Sequence, residues 1–172
     1  MITDTKTWTS LVIATGLLIS ACGGNNSVED RERAMEDLAA KHGIDVDVDL
    51  SETGETKQVV MNTAGGQVGS GLELPAGFPN DVIVPSDWNI MAASAPMPQN
   101  YMVQAIAEDD LSAVLETLRE EMSELGWTEA ETAQMTPQMS RISFEKGDRL
   151  TGYTITQNGE TQLVQVVSMP KP

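Results

Sequence analysis

The C-terminal part of the chain contains segments in which apolar and polar residues alternate, and this feature restricts the fold more than any other. The segments span residues 140–146, 149–157 and 161–169. Gly147-Asp148 and Asn158-Gly159 separate them, and such pairs are typical of tight hairpin turns. The sequence therefore predicts an antiparallel meander of strands, in which Pro170 ends the last strand.

An amphipathic helix is predicted between a strand over residues 101–107 and this meander. Its apolar stripe consists of Leu111, Val114, Leu115, Leu118, Met122 and Leu125. Steps of three and four residues place these side chains on one side of a helix. Asp109 or Asp110 can cap its start, Gly126 can end it, and Trp127 can pack back on its end. A single helix of this kind is expected to cover one face of an antiparallel sheet.

The preceding residues predict a smaller unit and a connector. A helix is expected from Ser27 to Gly43, with Ser27 as its cap, and strands are expected over residues 44–50 and 57–63. Residues 69–98 are rich in Gly, Pro, Ser and Ala, and they should end in a short strand at residues 89–93. We therefore predict the α+β class. The expected order is an N-terminal helix plus β-ribbon over 28–68, a Pro/Gly-rich connector over 69–98, and a C-terminal α+β domain over 99–172.

The net charge of the chain is −16, and its pI is about 4.2. Such a chain is repelled by phosphate backbones, so nucleic acid is not an expected partner. It has one Cys and one His, so it has no intramolecular disulfide and little material for His-based catalysis. We predict no cofactor, no bound metal and no enzyme activity, although a catalytic pair among the 26 Asp and Glu residues stays open.

The N-terminus carries an apolar run over residues 11–19 after a polar start. The run is shorter than the roughly 20 apolar residues that span a hydrocarbon core, but it suits a signal peptide. It ends in Ile19-Ser20-Ala21-Cys22, which resembles the lipobox of bacterial lipoproteins. A buried apolar segment with a chance cysteine is the alternative.

The lipobox resemblance implies that residues 1–21 are a signal peptide and that Cys22 becomes lipidated. Residues 22–27 then form a tether, and labelling with palmitate should detect the anchor. Gly23 after the cysteine implies sorting to the outer membrane, with the protein facing the periplasm.

Short motifs in the rest of the chain resemble an uncharacterised family of bacterial envelope lipoproteins. They are Leu74-Pro75-x-x-Phe78-Pro79-x-Asp81-Val82, Leu125-Gly126-Trp127, Phe144-x-Lys146-Gly147, Gly43-x-Asp45-Val46-Asp47 and Gly65-Gly66. The resemblance spans residues 35–169. It implies an envelope lipoprotein with a compact α+β domain, and it supplies no catalytic residues.

Three other groups of residues could in principle form a site. Asp45, Asp47 and Asp49 share one strand face and resemble the start of a calcium loop, but Leu50 stands where the loop needs Gly, so a solvated face is favoured. His42 is expected near the C-terminus of a helix, where the helix dipole stabilises a cationic His, so its position needs no catalytic role to explain it. The ten Met residues lack a compact copper-binding repeat and suit core filling.

Aromatic residues mark the connector. Phe78, Trp88 and Tyr101 are the predicted partner or ligand surface, because aromatic side chains favour binding hot spots. A hydrophobic latch that closes the connector onto its domain is the alternative. The expected function is a membrane-anchored envelope lipoprotein that contacts an envelope protein. The alternative function is the binding of a small apolar ligand between the helix and the sheet.

Overall fold

The computed structural model describes residues 27–53, 55–63 and 65–172, so the predicted signal peptide and Cys22 lie outside the described residues. Helix α1 spans Val28–Lys41 and helix α2 spans Leu111–Glu124. The strands are β1 Asp45–Leu50, β2 Thr56–Thr63, β3 Gly66–Val68, β4 Asn89–Met97, β5 Asn100–Ala107, β6 Thr128–Thr136, β7 Met139–Lys146, β8 Arg149–Asn158 and β9 Thr161–Pro170.

All of these strands belong to one nine-stranded antiparallel sheet in the order β1-β2-β3-β4-β5-β9-β8-β7-β6. The predicted combination of helices with an antiparallel sheet is therefore confirmed, and the fold is mostly β. The meander is β7, β8 and β9, and its last strand pairs with β5. Strands β1, β2 and β3, here called the ribbon, extend the same sheet at its other end.

Two strands were not predicted. No strand was predicted after residue 63, but residues 66–68 form β3, which joins the ribbon to β4. Residues 128–136 form β6, the edge strand beyond β7. Nearly all side chains of β6 are exposed. Its sequence therefore lacks the alternation of apolar and polar residues that marks a strand with one buried face. The connector strand β4 is also longer than predicted, because β5 pairs with it down to Met97.

The core lies on one face of the sheet. Across β5, β9, β8 and β7, a row of directly paired side chains (Val103, Val166, Tyr153 and Ile142) is at most 1% exposed. Val114, Leu118 and Met122 of α2 belong to the same buried cluster.

The outer face of the sheet carries the alternate residues of the same strands. The neighbouring row of Gln104, Gln165, Thr154 and Arg141 is half-buried or exposed. Burial in the strands of this region therefore follows a period of two, as expected when one face carries the core.

Each helix has the caps that the sequence predicted. Ser27 accepts from the backbone of Asp30 and Asp110 accepts from that of Ala113, so both N-termini are capped. Gly126 ends α2 with a φ of 80°, and the Trp127 amide donates to the Met122 carbonyl at 2.9 Å. This is the Schellman pattern, in which a glycine takes the left-handed conformation. Gly43 ends α1 in the same way with a φ of 74°.

The connector between β3 and β4 lies on the core face. Val82 and Trp88 are buried there, and the Tyr153 hydroxyl donates to the Ile83 carbonyl at 2.9 Å. Among the described residues, neither helix is long and apolar enough to span a bilayer.

Candidate functional site

Asp81 of the connector is held by two cations at the end of the meander. Both of its carboxylate oxygens accept from Arg149, at 2.8 Å and 2.5 Å. Lys146 Nζ lies 2.7 Å from Oδ2 of the same carboxylate and also donates to the Leu125 carbonyl at 2.7 Å. These three side chains, with Trp127, are called the Asp81 cluster. The cluster ties the connector to both the sheet and the end of α2.

Trp127 contacts all three charged residues of the cluster. Its indole N–H donates to the Asp81 backbone carbonyl at 2.5 Å, and its ring is 4% exposed. The Arg149 guanidinium carbon lies 4.9 Å from the ring centroid, and Lys146 Nζ lies 5.9 Å from it. Cations at these distances are attracted to the ring face, so the indole stabilises both side chains that hold Asp81.

The electrostatics of the cluster favour a fixed charge on Asp81. Hydrogen bonds from Arg149 above all, together with Lys146, hold the pKa of the Asp81 carboxyl far below its usual range despite partial burial. The same pairing raises the pKa of Arg149. Burial raises the pKa of the nearby Tyr153 hydroxyl far above its usual range, so Tyr153 stays neutral. Because both oxygens of Asp81 accept hydrogen bonds from cationic side chains, this carboxylate links the connector to the sheet and is not suited to accept a proton.

A hollow of about 230 Å³ lies beside the cluster on the core face. Its lining residues are Gly77, Pro79, Gln99, Tyr101, Arg149, Ser168 and Pro170. Gln99 has a φ of 62° at the β4–β5 turn, which is strained for a residue with a Cβ. Because the hollow combines a half-buried aromatic ring with a guanidinium that Asp81 holds in place, it is a candidate contact surface.

The three predicted surface aromatics occupy two different environments. Phe78 and Tyr101 are half-buried and pack edge to face, with ring centroids 5.6 Å apart and planes at 71°. Tyr101 lines the hollow. Trp88 is only 6% exposed and belongs to the core cluster. The structure therefore places Phe78 and Tyr101 together and gives Trp88 a packing role.

The outer face of the ribbon is apolar; Val48 of β1 is buried on it, whereas the side chains that β2 and β3 place there are exposed. Val59, Met61 and Val68, here called the ribbon patch, are 43%, 43% and 51% exposed. Met61 pairs directly with Val68, and Val59 lies two residues from Met61 on the same face. The ribbon patch is therefore a small exposed apolar area, of a size that monomeric proteins commonly show.

The opposite face of the ribbon is acidic. Asp45, Asp47 and Asp49 are all exposed along β1. In the described part of the chain, no group of three Asp, Glu, His or Cys residues is placed to hold a metal ion. His42 is the C-cap residue of α1. Met122 fills the core, whereas Met97 and Met135 are exposed at 61% and 59%.

An apolar ligand would have to lie in the buried cluster that α2 shares with the sheet, and protein side chains already occupy that space. Leu118 and Met122 are 0% exposed, and the Tyr153 hydroxyl lies 3.3 Å from the Met122 sulfur.

Sequence reasoning did not find Arg149, although Asp81 and Lys146 stood in the motifs that carried the family resemblance. The available signal was an acid inside an apolar connector together with two cations that flank the Gly147-Asp148 turn. Pairing them requires knowing that the connector folds over the end of the meander. The structure brings together Asp81, Trp127 and Lys146, one residue from each of three motifs.

Comparison with known proteins found no family model, no curated protein and no solved structure that matches the chain.

Proposed function

We propose that this chain is a lipid-anchored bacterial envelope lipoprotein, held at the outer membrane and facing the periplasm, that acts as a non-enzymatic interaction module. Cys22 carries the anchor, and the folded domain contacts an envelope protein. The mechanism is tethering, which raises the concentration of the domain at the membrane surface.

The observation that carries the proposal is how few residues separate α1 from the lipobox. Ser27 is the N-cap of α1, so only residues 23–26 separate it from Cys22. At roughly 3.5 Å per residue, this length of chain reaches at most about 17 Å. A lipid on Cys22 would therefore hold the domain close to the bilayer.

The arrangement of α2 supports an interaction module with a packed core. Val114, Leu118 and Met122 are at most 1% exposed and share a cluster with Tyr153 and Phe144 of the sheet. We propose that α2 covers one face of the C-terminal strands, so that its apolar residues serve the core and not a ligand.

The proposed protein contact is the hollow beside the Asp81 cluster. Tyr101 and Gln99 border it, and Arg149 is fixed in its wall by Asp81. Aromatic and arginine side chains that are already ordered lose little entropy on binding, which favours them as contact residues.

The anchor is tested by replacing Cys22. Cys22→Ser should abolish both palmitate labelling and cleavage of the leader, since no sulfur remains at the lipobox position. The matched control adds Asn26→Cys to the Cys22→Ser chain, which restores a thiol outside the lipobox and should not restore labelling. Labelling of Cys22→Ser, or a mature protein that retains Met1, would contradict the proposal.

The contact surface is tested by crosslinking in native membranes. Tyr101→Ala should remove the crosslinked partner, whereas Met135→Ala, at an exposed position on β6, should leave it unchanged. Trp88→Ala is unsuitable because loss of a buried Trp costs about 3–5 kcal/mol of stability. An unchanged partner in Tyr101→Ala would remove the hollow from consideration.

A further inference from the structure

We infer that the outer face of the sheet holds a binding site for a small apolar carboxylate. This inference goes beyond the proposed function and does not depend on it. The site is a hollow of about 260 Å³, here called the outer hollow, on the face opposite the core. Among its lining residues are Arg141, Leu150, Gly152, Val167 and Met169.

The guanidinium of Arg141 supplies the charge that recognises a carboxylate. Arg141 is exposed on β7, and its Nη2 and Nε atoms lie 3.8 Å and 3.9 Å from where a Cβ on Gly152 would be. The guanidinium therefore lies over Gly152 of the neighbouring strand β8. Within residues 27–53, 55–63 and 65–172, no carboxylate forms a salt bridge with Arg141. Its donors can therefore bind a ligand carboxylate, which a planar guanidinium matches with two parallel hydrogen bonds.

The outer face around Arg141 carries few acids, although the chain has 26 Asp and Glu residues. At the outward positions of the four described strands β5, β9, β8 and β7, Glu145 is the sole acid, and Lys171 Nζ lies 2.6 Å from its carboxylate. Glu131 of β6 shares this face, but its backbone carbonyl accepts from Ser143 and its carboxylate forms no salt bridge with Arg141. The outer hollow is therefore poor in carboxylates that would compete with a ligand.

Gly152 forms the base of the outer hollow, and the fold does not require glycine there. It lies inside β8 and does not have a positive φ, so a side chain would not strain the backbone. A Cβ would meet only the Arg141 guanidinium, at an ordinary van der Waals distance. Glycine weakens the interior of a strand and often marks a place where a ligand approaches the backbone closely. The missing side chain therefore keeps the hollow open.

The walls and the size of the outer hollow favour a small, partly apolar ligand. Leu150, Val167 and Met169 are half-buried beside the guanidinium, and the polar side chains of Thr154 and Gln165 border the hollow on one side. Drug-sized ligands occupy pockets of about 300–1,000 Å³, so this hollow suits a smaller molecule. A monocarboxylate with a short alkyl or aryl group matches both the charge of Arg141 and the three apolar side chains.

The test measures amide chemical shifts of the isotopically labelled chain in the form that cells produce, held in phospholipid nanodiscs where it carries lipid. The probes are hexanoate, hexanol and hexylammonium at neutral pH, which share one alkyl chain and differ in charge. Hexanoate should shift the Gly152 and Val167 amides and bind several-fold more tightly than the other two, because it alone pairs with Arg141. Equal shifts with all three probes, or no shift with hexanoate, would overturn the inference.

Two variants and a matched control locate the site. Arg141→Gln should weaken hexanoate binding by roughly tenfold or more, because a charge-assisted hydrogen bond is lost. Gly152→Ala should weaken it several-fold without lowering the thermal midpoint, because the methyl group fills the base of the hollow and glycine is unfavourable in a strand. Arg31→Gln, at an exposed position on α1, makes the same change in net charge and should leave binding unchanged.

Three results with these variants and a further probe would contradict the site. Equal weakening in Arg31→Gln and Arg141→Gln would show that hexanoate responds only to net charge. Wild-type binding by Gly152→Ala would show that the ligand does not enter the outer hollow. Tighter binding at the same amides by an acetylated peptide with one glutamate between two leucines would assign the surface to a protein partner instead of a small molecule.

Discussion

The two helices follow the same local rules but have different roles in the fold. Each has 14 residues, a capped N-terminus and a terminal glycine with positive φ. Yet α2 buries Val114, Leu118 and Met122, whereas α1 buries no residue. Local sequence thus determines that a helix forms and where it ends. The surface against which the helix packs determines how much it contributes to the core.

α1 stabilises an edge of the sheet instead of the core. Glu32 and Glu36 are four residues apart, which is about 6 Å along a helix, and Val48 and Leu50 are two residues apart, which is about 6.7 Å along a strand. The match lets two carboxylates satisfy two outward amides of β1. The helix therefore occupies the place where another strand could add.

The two helices should differ most in the free energy of unfolding that is lost when one leucine is truncated to alanine. Leu118→Ala in α2 should lower the free energy of unfolding by about 3 kcal/mol, because it leaves a cavity in the core. Leu38→Ala in α1, where Leu38 is 56% exposed, is the matched control and should change it by less than about 0.5 kcal/mol. Urea unfolding measures both, and equal losses would break the comparison.

The second prediction concerns the Asp81 cluster that fixes the end of α2. Asp81→Asn should cost about 1–2 kcal/mol, because charge-assisted bonds to Arg149 and Lys146 are weakened. The exposed Asp87→Asn variant should cost much less.

The cost of Asp81→Asn should also depend on pH. The folded-state pKa of Asp81 is lowered, so its stabilisation is complete above the unfolded pKa of about 3.9 and is lost as the pH falls toward the folded value. The stability difference between wild type and variant should therefore be constant near neutral pH and shrink below about pH 4. A difference that grows in acid would show that the sign is wrong.

The third prediction removes an equivalent cap from each helix. Asp110→Ala should lower global stability by about 1 kcal/mol, since α2 is part of the core. Ser27→Ala should leave the global unfolding midpoint nearly unchanged and only speed amide exchange within α1. A midpoint shift of the same size in both variants would mean that α1 unfolds together with the core.

The smallest global effect is expected at the protected edge. The double variant Glu32→Ala, Glu36→Ala should change global stability by less than about 1 kcal/mol, yet the Val48 and Leu50 amides should exchange much faster. Asp37→Ala, on the same helix, is the control and should leave those amides protected. Unchanged exchange in the double variant would show that other contacts hold α1 on β1.

The sequence predicted the regular elements with strong local signals. Ser27, Asp110 and Gly126 occupy the capping positions expected of them, and Gly147-Asp148 joins β7 to β8. The turn between β8 and β9 is Gly159-Glu160, one residue later than predicted, because Asn158 still pairs with Thr161. Strand β6 was missed because an exposed edge strand lacks the burial that makes alternation visible. Trp88 was predicted to lie on a surface together with Tyr101, but it is buried. Its burial depends on how the connector folds over the sheet, which the local sequence does not show.

By itself the sequence determined the caps, the turns, the periods of the meander and of α2, and the lipobox-like segment on which the proposed anchor depends. These features arise from backbone conformation and neighbouring side chains, which act over a few residues. Only the tertiary structure decided that Asp81 meets Arg149 and Lys146, 68 and 65 residues away, and that the ribbon continues the sheet of the meander. Such contacts depend on which faces pack together, and many arrangements of the same elements satisfy the local rules equally well.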